Sequence, residues 1–157
     1  MEITLEDLNE WIQALTSGAV TQVTGELHRH GFGMCCLGVL ARLHAEKLSL
    51  EVRVDEDGAV WYGEGQACLP RKLADAFRVD DVGPVIPQSA LTEEDASKLK
   101  DRIYYRARYD TRGIHASEMN DGGLSFKRIA ELLPYGVVVI DNYQDRNVLK
   151  PWGQPLV

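Results

Sequence analysis

Two adjacent thiols, Cys35 and Cys36, stand between Gly33 and Gly38, where a glycine-containing loop gives way to a helical pattern. A thiol in the first turn of a helix faces the positive end of the helix dipole and unpaired backbone N–H groups. Both favour the thiolate and lower its pKa, which would make Cys36 a nucleophile. The opposing reading is that free cysteine behaves as a small buried hydrophobe, so that Cys35, Cys36 and Gly38 let a helix pack closely on its neighbours. His28, His30 and either cysteine offer nitrogen and sulfur ligands within nine residues. No second Cys or His pair follows at zinc-module spacing, so neither a metal nor a cofactor is expected. Farther on, Arg102, Arg106, Arg108 and Arg112 run beside Tyr104, Tyr105 and Tyr109. Guanidiniums next to aromatic rings suit stacking and phosphate contacts, which makes Arg102, Arg106, Tyr105 and Tyr109 candidate contacts of a nucleotide-binding module. The same stretch also reads as a solvated helix balanced by Glu93, Glu94, Asp95 and Asp101. Asn120-Asp121-Gly122-Gly123 is a turn with too few carboxylates for calcium. The phosphate-loop, dinucleotide, zinc-protease and serine-hydrolase motifs are absent from the sequence.

The elements that would hold these residues follow from periodicity and capping signals. Residues 5–15 form a helix: Thr4 caps it, Asp7 completes a capping box, and Leu5, Leu8, Trp11, Ile12 and Leu15 make one apolar stripe. Residues 19–27 read as a short strand, 28–33 as a loop, and 34–47 as a second, largely buried helix whose outer face carries Arg42 and Glu46. The segments 50–54 and 59–62 form a hairpin around Asp55-Glu56-Asp57-Gly58. A helix runs from Pro70 to Phe77, 78–90 is irregular around Pro84 and Pro87, and Thr92 opens a long helix to about Arg108. A helical turn at 116–119 precedes the Asn-Asp-Gly-Gly turn, Ser125 caps a helix over 126–133, and Leu124 with Ile129 forms its hydrophobic staple. Val137-Val138-Val139-Ile140 predicts a strand inside a sheet, and the tail beyond Asn142 is loop. That strand pairs either within the chain or across a dimer, and an exposed edge there would imply a homo-oligomer. The sum is an α+β fold over 1–157 as one domain, with helices packed on a small, mostly antiparallel sheet.

Composition bounds the function. The 157 residues are 45% hydrophobic and 26% charged, ordinary for a globular chain and unlike a disordered or disulfide-built one. Seventeen Lys and Arg against twenty-four Asp and Glu leave a formal net charge of −7, which argues against a nucleic acid as partner. No apolar run approaches the roughly 18 residues of a membrane span, and the start, Met1-Glu2-Ile3-Thr4-Leu5-Glu6-Asp7, is the opposite of a basic secretory leader. Three cysteines, an odd number, fit reduced thiols. Together these predict a cytoplasmic protein.

Three islands carry a resemblance: the helix around Trp11, the block Cys36-Leu37-Gly38-Val39-Leu40 preceded by Gly33 and Cys35, and Asn120-Asp121-Gly122 before Phe126-Lys127-Arg128-Ile129-Ala130. As a set they resemble a family of small proteins of tailed phages and prophages. That resemblance implies a phage or prophage origin, hence the cytoplasm of a bacterial host, and implies no activity. The charged helix from residue 92 and the strand near 137–140 depart from the pattern. The cysteine block alone is also similar to that of the papain-like cell-wall endopeptidases. That likeness implies a cysteine hydrolase with Cys36 as nucleophile, His115 as base and Asp141 or Asn142 orienting it. In those enzymes the histidine opens a strand, whereas Ile114-His115-Ala116-Ser117-Glu118 reads as turn or helix. With no complete catalytic set, the chain reads as a phage or prophage accessory protein that binds a host protein and catalyses nothing. The cysteine hydrolase and the nucleotide-binding module are the alternatives.

Overall fold

The computed structural model describes residues 4–102, 113–140 and 148–151. It begins with α1 (Leu5–Thr16), fixed by the expected capping box. The Asp7 backbone N–H donates to Thr4 Oγ1 at 3.2 Å, and Asp7 Oδ2 accepts from the Thr4 backbone N–H at 2.9 Å. Leu8, Trp11 and Leu15 are buried as the stripe requires, while Leu5 stays exposed.

The stretch expected as a strand over 19–27 is irregular, with one bridge between Gln22 and Met34. Its propensity was misleading because the pairing partner lies elsewhere. The predicted 28–33 loop is instead a small hairpin, β1 (His28–Arg29) against β2 (Gly33–Met34). Helix α2 (Cys36–His44) follows. Cys35 is its N-cap, its sulfur accepting from the Gly38 N–H at 3.4 Å. Every residue from Cys36 to Ala41 is buried, so α2 is the central helix of the fold. It packs against α1 and against α5 (Ala116–Asp121). Gly38 makes this possible, since a Cβ there would lie 1.7 Å from the Leu27 carbonyl oxygen.

The hairpin of β3 (Val52–Val54) and β4 (Val60–Tyr62) forms as predicted. Helix α3 (Arg71–Phe77) follows, and Arg78 closes it in the left-handed conformation at φ 51°. The expected irregular segment contains β5 (Val85–Ile86), which is buried at the centre of the larger sheet. Pro84 and Pro87 clip it to two residues because neither can donate to a ladder, which is why periodicity did not reveal it. The sheet order is β6 (Ile114–His115), β5, β7 (Val137–Ile140) and β8 (Val148–Pro151), all antiparallel. β7 is therefore internal and paired within the chain, and the tail expected as loop supplies β8. His115 ends a strand, contrary to the turn or helix expected there, because β6 is defined by its pairing to β5 and not by its own pattern.

Helix α4 (Glu93–Lys98) has a second capping box, Thr92 with Asp95. The backbone leaves helical geometry at Leu99 (φ −99°, ψ 9°), so the single helix expected from Thr92 is interrupted there. Residues 103–112 lie outside the described residues. Helix α6 (Phe126–Leu132) is capped by Ser125. Its Arg128 grips Asp95 of α4 with Nη2 at 2.7 Å and Nε at 3.0 and 3.1 Å. One apolar cluster, including Trp11, Leu40, Phe77, Ile86 and Ile129, unites helices and sheet into an α+β fold.

Three stability predictions follow from these contacts and backbone angles. Gly38→Ala forces the backbone of Leu27 away from α2 and is expected to cost about 3 kcal/mol in urea denaturation. Gly18→Ala, strained by φ but in open space, is expected to cost about 1 kcal/mol. The Arg128 guanidinium holds the Asp95 carboxyl down to about 2, against its ordinary 3.8. A depressed carboxylate stabilises the fold above its unfolded pKa and loses that contribution as pH falls toward the folded value. The stability gap between wild type and Asp95→Asn is therefore expected to hold above pH 4 and to close between about 4 and 2.

Candidate functional site

Cys36 is where the three sequence islands meet. Its backbone N–H donates to Asn120 Oδ1 at 3.1 Å, and its carbonyl accepts from Trp11 Nε1 at 2.9 Å. Its thiol reaches the Ala116 carbonyl at 3.5 Å. Asn120 also accepts from Gln22 Nε2 at 3.0 Å and donates to the Val23 carbonyl at 2.8 Å. Gln22 in turn bonds the Leu124 carbonyl and the Phe126 N–H, tying down the start of α6. The Asn-Asp-Gly motif is thus a clamp on the start of α2. Asn120 and Asp121 end α5, and Gly123 alone takes the positive φ.

This burial decides the thiol chemistry. Cys36 has no exposed surface, and burial pushes its thiol well above the usual 9.0, with Cys35 and Asp121 adding to the rise. Burial likewise pushes Cys35 up to about 11. Desolvation outweighs the backbone N–H groups at this helix start, so both sulfurs are protonated at neutral pH. His115 is buried with Nε2 2.8 Å from Asp80 Oδ2 and Nδ1 3.6 Å from Glu118 Oε1. Among the described residues, the hydrogen bond of the Cys36 thiol goes to the Ala116 carbonyl. Asp141 lies outside the described residues, as do Tyr105, Arg106 and Tyr109. Arg102 is described, half-buried, with its Cδ beside Gly122.

One opening among the described residues is a groove of about 680 Å³ between the end of α2 and β3. Arg42, Ala45 and Glu46 form one wall, Val52 the other, and His28 and Tyr62 lie at its base. His28 Nδ1 and the Tyr62 hydroxyl are 2.9 Å apart. Burial, with Arg42 and His30 contributing, lowers the His28 pKa below 6.5 and leaves the ring neutral at pH 7. Arg42 stands exposed in the wall without an ion pair among the described residues. Val52 of β3 lines the groove, and among the described residues β3 pairs only with β4, which leaves its other edge open. Asp55 N–H donates to the Ala59 carbonyl and Gly63 N–H to the Glu51 carbonyl, so the odd-numbered residues of this strand face β4. By alternation the N–H and C=O of Val52 and Val54 point outward. Both valines are about half exposed. The sequence called this hairpin correctly but did not mark its edge, since exposure of two valines is a tertiary fact.

The metal set weighed from sequence does not assemble. His28 bonds Tyr62 and the Cys35 sulfur caps α2. Among the described residues, the three that do gather ligand atoms are Asp7, Glu10 and His44. The sequence held a signal for them: His44 sits on the buried face of α2, seven residues after Leu37, where an apolar residue would be expected.

A small α+β domain knotted at a buried helix start is the class these features define. Residues 5–135 match the family described as a domain of unknown function, DUF8296, and the chain belongs to that family. The matched span contains all three islands, the groove and the Asp7–Glu10–His44 group. No curated protein and no solved structure matches the chain. Among the described residues, no helix is long and apolar enough to cross a membrane.

The thiols give a direct check. In folded protein at pH 8, iodoacetamide is expected to label Cys68, which is partly exposed, and to leave Cys35 and Cys36 untouched until urea unfolds the chain. Site-resolved mass spectrometry reads the order, and early labelling of Cys36 would contradict the buried, protonated thiol.

Proposed function

We propose that this chain works by binding a protein and carries out no catalysis, and that its docking site is the groove between α2 and β3. The occupant is an extended segment of the partner that adds to the free edge of β3, with apolar side chains at alternate positions and a carboxylate opposite Arg42. The observation that carries this reading is the edge itself. Among the described residues, Val52 and Val54 present outward backbone groups without a strand partner and half-exposed apolar side chains, and Val52 lines the groove, the arrangement that strand addition uses. The charge of Arg42, without an ion pair among the described residues, complements an acidic segment. The inert burial of Cys36 supports binding over nucleophilic chemistry. The likeness of the three islands to small phage and prophage proteins supports a bacterial host protein as the partner and a phage accessory role.

The test is affinity capture from bacterial lysate with cross-linking, comparing wild type with Arg42→Glu and Val54→Pro. Pro at residue 54 removes only an outward N–H, so the ladder with β4 is kept. The expected result is a partner cross-linked near residues 42–54 and reduced about tenfold or more by either variant. Capture that is indifferent to both variants, or cross-links elsewhere, would overturn the site.

A further inference from the structure

Asp7 and Glu10 lie one helical turn apart on α1, and His44 ends α2 where the two helices pack. One carboxylate oxygen from each acid and one ring nitrogen of His44 all lie within 4.8 Å of one another. His44 is 1% exposed, and neither of its ring nitrogens has a hydrogen-bond partner among the described residues. Buried imidazoles are almost always satisfied, so this one calls for an explanation. Its edge-to-face contact with Phe77, with ring centroids 4.7 Å apart, helps to hold the ring.

We propose that Asp7, Glu10 and His44 form a binding site for one divalent transition-metal ion of the zinc type. Imidazole nitrogen with two carboxylate oxygens is a donor set that zinc accepts, at bonds of about 2.0–2.2 Å. A tetrahedral ion with such bonds sets its ligand atoms about 3.3 Å apart, so the group must contract from its present spread. Glu10 is exposed on the surface of α1, and its rotamers supply that movement. Asp7 is already oriented. Its Oδ2 is held by the Thr4 N–H and hydroxyl, which leaves Oδ1 as the ligand atom, the kind of outer hydrogen bonding that ligating carboxylates require. Lys47 Nζ is 3.9 Å from that same Oδ1 and sits where an ion would compete with it. Its side chain is 60% exposed and swings into water without breaking packing.

The ion would pin α1 to α2 from the solvent side, with its remaining coordination open toward Glu10.

The test uses the full chain stripped of metal, titrated with zinc sulfate by calorimetry, with magnesium and calcium as controls. The expected result is one zinc per chain, weakened about tenfold or more by Glu10→Gln and lost in His44→Asn, while Lys47→Gln tightens it. Cobalt substituted for zinc is expected to show no thiolate charge-transfer band, which separates this site from one built on the cysteines. Equal zinc affinity in wild type and Glu10→Gln, a thiolate band, or no binding would each overturn the proposal. Glu10 is exposed, so that variant decides the matter even if His44→Asn does not fold.

Discussion

A helix that starts inside a protein core has a hydrogen-bonding problem, and the fold of this chain is organised around solving it. The first backbone N–H groups of any helix have no partner within the helix. At α2 these groups are buried, beyond the reach of water. The Cys35 N–H goes to the Leu27 carbonyl, the Cys36 N–H to Asn120, and the Gly38 N–H to the Cys35 sulfur. Each solution recruits a different part of the chain. Leu27 must approach closely, which requires Gly38. Asn120 must be aimed, which requires Gln22 and the carbonyl of Val23. Leaving one such group unsatisfied costs about 1–3 kcal/mol, a large share of a marginal stability.

The same constraint separates packing from chemistry. A cysteine at a helix start has the dipole and donors that would activate it, yet here burial outweighs both and holds the two thiols in their protonated form. The chemistry that is available lies where α2 emerges from the core. Its last turn carries His44 toward α1 and Arg42 toward the groove, on two different faces of one helix. The buried start fixes the register of the helix, and the register fixes where those two side chains arrive.

Local signals were legible in the sequence wherever one segment determines its own structure. The capping box at Thr4, the helix start at Thr92, the Ser125 cap and the Asp55–Gly58 turn all formed as read. Strands of two residues were not legible. β1, β2, β5 and β6 exist because of their partners, and two residues hold no period. The islands around Trp11, Cys36 and Asn120 were visible separately, but their meeting at one residue was not, because sequence spacing carries no information on contact over such distances. For the same reason the Asp7–Glu10–His44 group was missed: Asp7 was legible as part of a cap, while the ligand role depends on the packing of α1 on α2.

The clamp on α2 also sets an order of events in time. Trp11 is 25 residues before Cys36, whereas Asn120 is 84 residues after it. At roughly 5–20 residues per second, a ribosome needs on the order of 4–17 s to make that intervening chain. Throughout that interval α2 has its Trp11 partner but not its Asn120 partner, so its start cannot be buried without leaving a donor orphaned. Non-local closure of this kind slows folding, since the entropy of a long loop is spent before the contact forms. The domain therefore commits to its native core late, when the Asn-Asp-Gly segment arrives.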